Sequence, residues 1–428
     1  MNPAESSRPV VFAKSSLLSN IIILYLLLAG AAIGGSAVWL LLGRKSGGTT
    51  EEVKPATAIT QDAGGIKTNP GPWGDLYYVP FTISAPENLL PVRSLESRGT
   101  RWFFRNWTRM DLESLVSGDD ISSSLRTALL APTSLEQTSS GLEVTPPDSV
   151  VMGLQENARK RIYQTLARFP ENRGEIHFIS KNTLQDRFKT GEVSEDTMRI
   201  FHQLCCEHGD YLVFAGLATM LSHLPSYEEK VSFVRSLTRQ KTMLLQIHQK
   251  PETDIVALAN YWGKGSRATD VRTVLESLSK VKGGAWVNIL MMIPPLPASQ
   301  LYTYPNIQDN PLNGPAHIRD CHWTSFNFFR DTPELDVTPD FVIRELKSNY
   351  APASGDPRYG DVVLFSKPDG DIIHSSIYLA DDIVYTKNGA TSIYPWMLAT
   401  ISDLMKQYSF QVPEGQKLTV AYYRQKAL

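Results

Sequence analysis

A cysteine becomes a nucleophile when its surroundings lower the thiol pKa and a base lies within reach. The residues of this chain with that potential are Cys321, in the run Arg319-Asp320-Cys321-His322-Trp323-Thr324-Ser325-Phe326, and His374, in the run Ile372-Ile373-His374-Ser375-Ser376-Ile377. Cys321 follows a stretch rich in Pro, Asn and Gly (305–315) and opens what reads as an amphipathic helix. A helix N-terminus favours a thiolate through its unpaired N–H groups and partial positive charge. The same N–H groups can hold the oxyanion formed when a thiolate attacks a carbonyl. His374 falls inside a strand, so Cys321 is read as nucleophile and His374 as its base. His322 reads as a poor base, because consecutive helical residues do not face each other. His317 is a loop residue with no assigned role.

The elements that must position this pair follow from local signals. Thr338 caps a helix running to about 347, with Pro339 at its first position, where a missing N–H is harmless. Strands are expected over 361–365, 372–379 and 383–387, with turns at Pro368-Asp369-Gly370 and Asp381-Asp382. A helix over 395–408 and a final strand over 417–424 complete the unit. A helix followed by an antiparallel sheet packed on it is an α+β arrangement.

Three pieces of this text resemble the NlpC-type cell-wall cysteine peptidases, a papain-like superfamily. They are Asp320-Cys321 at a helix start, the strand Gly360-Asp361-Val362-Val363-Leu364-Phe365, and the strand His374-Ser375-Ser376-Ile377-Tyr378-Leu379. The resemblance is confined to the C-terminal domain, 301–428. It implies a papain-like fold there, a Cys nucleophile, a strand His as base, and a polar residue on the next strand that orients the imidazole. It also implies peptide bonds of peptidoglycan stems as substrate. No cofactor or metal is expected. Asn388 is the preferred third group, because a side-chain amide can accept from the imidazole N–H. Thr386, two residues earlier on the same strand face, is the alternative, and Lys387 should face the other way. Where the family has small residues after Asp-Cys, this chain has His322 and Trp323, whose bulk would narrow or block the groove.

The whole chain, at 428 residues, is longer than one compact core usually holds, so two soluble domains are the default expectation. Residues 1–15 form a short tail. Residues 16–43 contain an uncharged apolar run over 21–42, matching the ~20 residues that cross a bilayer as a helix. A small-residue cleavage site at Gly35-Ser36-Ala37 is the rival reading, but further apolar residues follow it. A single-pass anchor with an extracytoplasmic body is expected. Residues 44–69 read as a flexible tether. Residues 70–300 read as a mainly helical mixed domain, with its partner unassigned. Its expected elements include a long loop over 122–149 and helices over 149–169, 194–207, 211–224, 254–262 and 270–281. A capping box at Ser226 and Glu229 opens another helix, 243–248 reads as a strand, and 285–293 as a buried strand.

Composition excludes some classes. A net charge of -2 gives no basic excess for nucleic acid. His202, Cys205, Cys206 and His208 could be metal ligands, yet adjacent cysteines on a helix point about 100° apart. Core cysteines are the favoured reading there. Asn106-Trp107-Thr108 is a glycosylation sequon of low specificity. The expected function is thus a membrane-anchored cysteine hydrolase. The alternatives are a catalytically inactive papain-like binding module and an acyl or amide transferase using the same Cys-His pair.

Overall fold

A computed structural model describes residues 65–172, 174–189, 191–305, 319–409, 411–412 and 416–426. The expected tail, anchor, first part of the tether, and His317 lie outside these residues. Among the described residues no helix is long and apolar enough to cross a membrane.

The fold is mixed α+β, with four antiparallel sheets among the described residues, their strands numbered along the chain. The first sheet has the order β1 (Ile66–Lys67), β2 (Leu76–Ile83), β9 (Gln240–Gln249), β10 (Ala285–Asn288). A second runs β3 (Trp102–Arg105), β5 (Gly141–Val144), β4 (Leu135–Gln137). A third runs β6 (His177–Ser180), β8 (Tyr211–Phe214), β7 (Cys205–His208). The largest has six strands in the order β11 (Tyr350–Pro352), β16 (Thr419–Gln425), β12 (Val362–Ser366), β13 (Ile372–Ala380), β14 (Ile383–Lys387), β15 (Trp396–Thr400).

The C-terminal hairpins form where their turn residues stand. Lys367 N–H donates to Asp371 O, and Gly370 takes a positive φ of 88° that a side chain would oppose. Asp381 turns the next hairpin at φ 53°, a conformation Asp tolerates. Its carboxylate also holds Asn69, accepting from the backbone N–H at 3.1 Å and the side-chain amide at 2.9 Å. Residues 66–67 pair with Tyr77 and Tyr78, so the expected tether ends before them.

Residues 70–300 carry more strand than expected. The helix that starts at Ser194 ends at Leu204, and Cys205–His208 pairs with Tyr211–Phe214 across a turn at Gly209, whose φ is 54°. The apolar run after Gly209 satisfies its backbone in that ladder and becomes helical only over Leu217–Ser222. Residues 122–149 are not a loop: Ser122 caps the helix Ser123–Leu129, and β4 and β5 form a hairpin behind it. The 149–169 stripe splits into the helices Asp148–Gly153 and Glu156–Leu166, and 285–293 is a strand only to Asn288. Residues 395–408 divide likewise. Trp396–Thr400 is an edge strand on β14, and only Ile401–Ser409 is helical.

Packing runs without a break past residue 300, and Gly64–Leu428 is one compact unit. Leu301 bridges Trp396, Tyr302 N–H donates to Trp396 O at 2.8 Å, and Tyr261 Oη donates to Leu379 O at 2.7 Å. Thr242 on β9 both donates to Leu398 O and accepts from Leu398 N–H on β15. One hydrophobic core holds Leu245, Trp262 and Ile289 together with Trp323, Phe326, Leu379 and Trp396. The helix Cys321–Asn327 crosses that core.

Candidate active site

Asp320 starts the Cys321 helix by accepting from Trp323 N–H at 2.9 Å, and Thr324 Oγ1 donates back to Asp320 O. The helix is buried almost all round rather than amphipathic. Trp323, 2% exposed, packs against Trp396, and Phe326 meets Tyr350 edge-on at 5.6 Å. Of the two bulky residues expected to narrow or block the groove, Trp323 is therefore turned into the core. Trp396 Nε1 donates to Thr324 Oγ1 at 3.0 Å, tying this helix to the edge strand.

His374 is fully buried on β13, its ring stacked on Tyr408 at 4.4 Å between centroids. Its Nε2 lies 2.9 Å from Thr386 Oγ1 on β14. Asn388, the preferred orienting group, is not on His374: its Nδ2 donates to Gln407 Oε1 at 3.3 Å. The reason is local, since β14 ends at Lys387 and strand alternation no longer governs the residue after it. Thr386, the alternative, occupies that position. Lys387 faces the opposite side, donating to Gly389 O at 2.8 Å and Thr391 O at 3.0 Å. Burial lowers its pKa to about 8, although Asp320 and Cys321 pull it up.

Burial pushes the Cys321 thiol up, but the imidazoles of His322 and His374 outweigh it and hold the thiol well below its ordinary value. His374 Nδ1 makes no well-directed hydrogen bond in this resting arrangement, though its ring is near enough to stabilise the thiolate. Such contacts commonly tighten only when substrate is bound. His322 is the group that sequence reasoning passes over. Its Nδ1 lies 2.9 Å from Ser375 Oγ, and Ser375 Oγ donates to Cys321 O at 3.2 Å. A hydroxyl has one proton, so His322 Nδ1 is the donor to Ser375. The rule that neighbours diverge holds along a helix, but residues at its first positions have no preceding turn to fix their side chains. The only signal in the sequence is adjacency itself. The helix has seven residues, and the two imidazoles rather than its dipole lower the thiol pKa.

The Gly360-Asp361 motif does not reach the thiol. Gly360 has φ 94° with Phe329 packed where a Cβ would lie, and Asp361 forms a two-pronged pair with Arg424 at 2.8 and 2.7 Å. It anchors β12 to β16.

Cys321 and Asp320 line a cavity of about 110 Å³ whose far wall comes from the 70–300 region, including Phe169, His177, Arg187 and Gln240. Asn388 and Tyr408 complete its near wall. Among the described residues no group of three or more His, Cys, Asp or Glu side chains could hold a metal ion. Cys205 and Cys206 are instead buried neighbours on β7. No family model matches this chain, and no curated protein matches it.

Proposed function

We propose that this chain is a papain-like thiol hydrolase that cleaves an amide bond of peptidoglycan stem peptides. In this reading residues 21–42 anchor it in the membrane and the body is extracytoplasmic. The observation that carries it is a buried thiol at a cavity wall, held below its ordinary pKa by two imidazoles, one of them braced by Thr386. Cys321 as thiolate attacks the carbonyl, forming a C–S bond, and His374 as imidazolium gives its proton to the leaving amine. The neutral imidazole then takes a proton from water as that water attacks the thioester, and Cys321 leaves as thiolate. Thr386 Oγ1 accepts from Nε2–H of the imidazolium and keeps Nδ1 turned to the thiol.

Digestion of purified peptidoglycan by the wild type, with mass analysis of the released fragments, tests this. The expected result is new amine and carboxyl ends within the stem peptides, absent with Cys321→Ala. Undiminished cleavage by Cys321→Ala, or intact peptidoglycan after treatment with the wild type, would remove the reading.

A further inference from the structure

The wall of the cavity opposite Cys321 contains Arg187, a cation with no salt-bridge partner among the described residues. Arg187 ends the short helix Leu184–Arg187, and its Nη1 donates to Leu237 O at 2.9 Å. Among the described residues no carboxylate pairs with it. Glu192 pairs with Arg239 at 2.7 Å, and Asp320, the acid that lines the same cavity, caps the Cys321 helix instead. Desolvation disfavours the half-buried Arg187 cation, Tyr394 beside it offsets part of this, and Arg239 adds a second positive charge. An arginine so placed stays protonated, and it is held at an energetic cost that an anion would relieve. The thiolate is not that anion: the charged and polar groups acting on Arg187 are Tyr394 and Arg239, not Cys321.

Two further polar atoms in the same cavity are buried without hydrogen-bond partners among the described residues. Asn388 is 3% exposed and its Oδ1 accepts nothing; His177 is 5% exposed and its Nε2 is likewise unpaired. Buried polar groups in folded proteins are nearly always satisfied, so orphans gathered in one cavity mark a place for ligand atoms. A guanidinium presents parallel donors that match a carboxylate, while a lone amide oxygen matches an N–H.

We propose that Arg187 binds a free carboxylate of the substrate in this cavity, while Asn388 Oδ1 accepts an N–H of the same molecule. The ligand class is an acylated amino acid or short peptide with a carboxylate within a residue or two of the bond that Cys321 attacks. The word substrate rests on the hydrolase reading above; the carboxylate site does not. Asn388 thus has a role, but on the ligand rather than on His374. The 70–300 region supplies the specificity, and the C-terminal sheet supplies the thiol.

Two probes differing only in charge test this at the thiol. Iodoacetate should alkylate Cys321 faster than its intrinsic reactivity relative to iodoacetamide predicts, with saturation in reagent concentration. Arg187→Met should lower the iodoacetate rate about tenfold and leave the iodoacetamide rate as it was, which also reports an undisturbed thiol. Arg187→Lys should recover part of the difference. Equal effects of Arg187→Met on both reagents would overturn the carboxylate site. If Cys321 reacts with neither reagent, the hydrolase reading fails, and binding alone decides the carboxylate site. In Cys321→Ala, N-acetylalanylalanine should then raise the melting temperature where its C-terminal amide does not, and the added Arg187→Met should erase the difference. A stabilisation that is the same for acid and amide would overturn the site.

Discussion

Cys205 and Cys206 on β7 are as buried as Cys321, at 7% and 2% exposure against 6%, yet their thiols shift the opposite way. Burial raises Cys205 well above its ordinary value and Cys206 to about 12, with Arg159 only partly opposing it. At Cys321 the same burial is outweighed by two facing imidazoles. Burial alone therefore makes an inert thiol, as it does for most core cysteines. The lowered pKa here comes from what the neighbouring strand and the helix mouth bring to the sulfur.

The difference is sharpest for alkylation at mildly acidic pH. Cys321 should react with iodoacetamide more than about a thousandfold faster than Cys205 or Cys206, because only it carries thiolate there. Peptide mapping after brief labelling reads the ratio. Comparable labelling of the β7 pair would dissolve the contrast. Next in size are the dyad variants. Cys321→Ala and His374→Ala should each lower kcat by about a thousandfold or more, and the double variant should be scarcely worse, since the pair acts as one unit.

Smaller effects separate the supporting groups. His322→Ala removes a group that lowers the thiol pKa, so the thiol rises and the acidic limb of the kcat/KM profile moves to higher pH. Thr386→Val should lower kcat about tenfold by freeing the imidazole, in the range for a lost orienting hydrogen bond. Asn388→Ala should act mainly on KM. Steady-state kinetics across pH distinguish these outcomes, and a KM effect at Thr386 with a kcat effect at Asn388 would reverse the assignment. Smallest of all, Cys205→Ala and Cys206→Ala should leave turnover unchanged while lowering stability by about 1–2 kcal/mol, read from denaturant unfolding.

Much of the C-terminal half is legible in the sequence. Asp320 as cap, Pro368-Asp369-Gly370 as turn and the β-branched run at the start of β13 place Cys321 and His374 on their elements. Those are signals spanning only a few residues. The edge strand Trp396–Thr400 reads as helix in sequence, because its partners, β14 and Thr242 on β9, are remote along the chain. The Cys205-Cys206 segment continues a helical pattern, and pairing with β8 overrides it. The expected boundary at 300 likewise marks a change in text without marking a gap in packing.

Local sequence determined where helices begin, where hairpins turn and which residue types could supply a thiolate and a base. Tertiary structure decided which of them meet. Thr386 rather than Asn388 braces His374 because β14 stops at Lys387. His322 turns towards the thiol because Ser375 on a neighbouring strand accepts its N–H. Arg187 enters the cavity because a region more than a hundred residues upstream packs over the Cys321 helix. Short-range steric and hydrogen-bonding preferences are written into a few consecutive residues, whereas charge, burial and proximity at a site are sums over elements that only folding brings together.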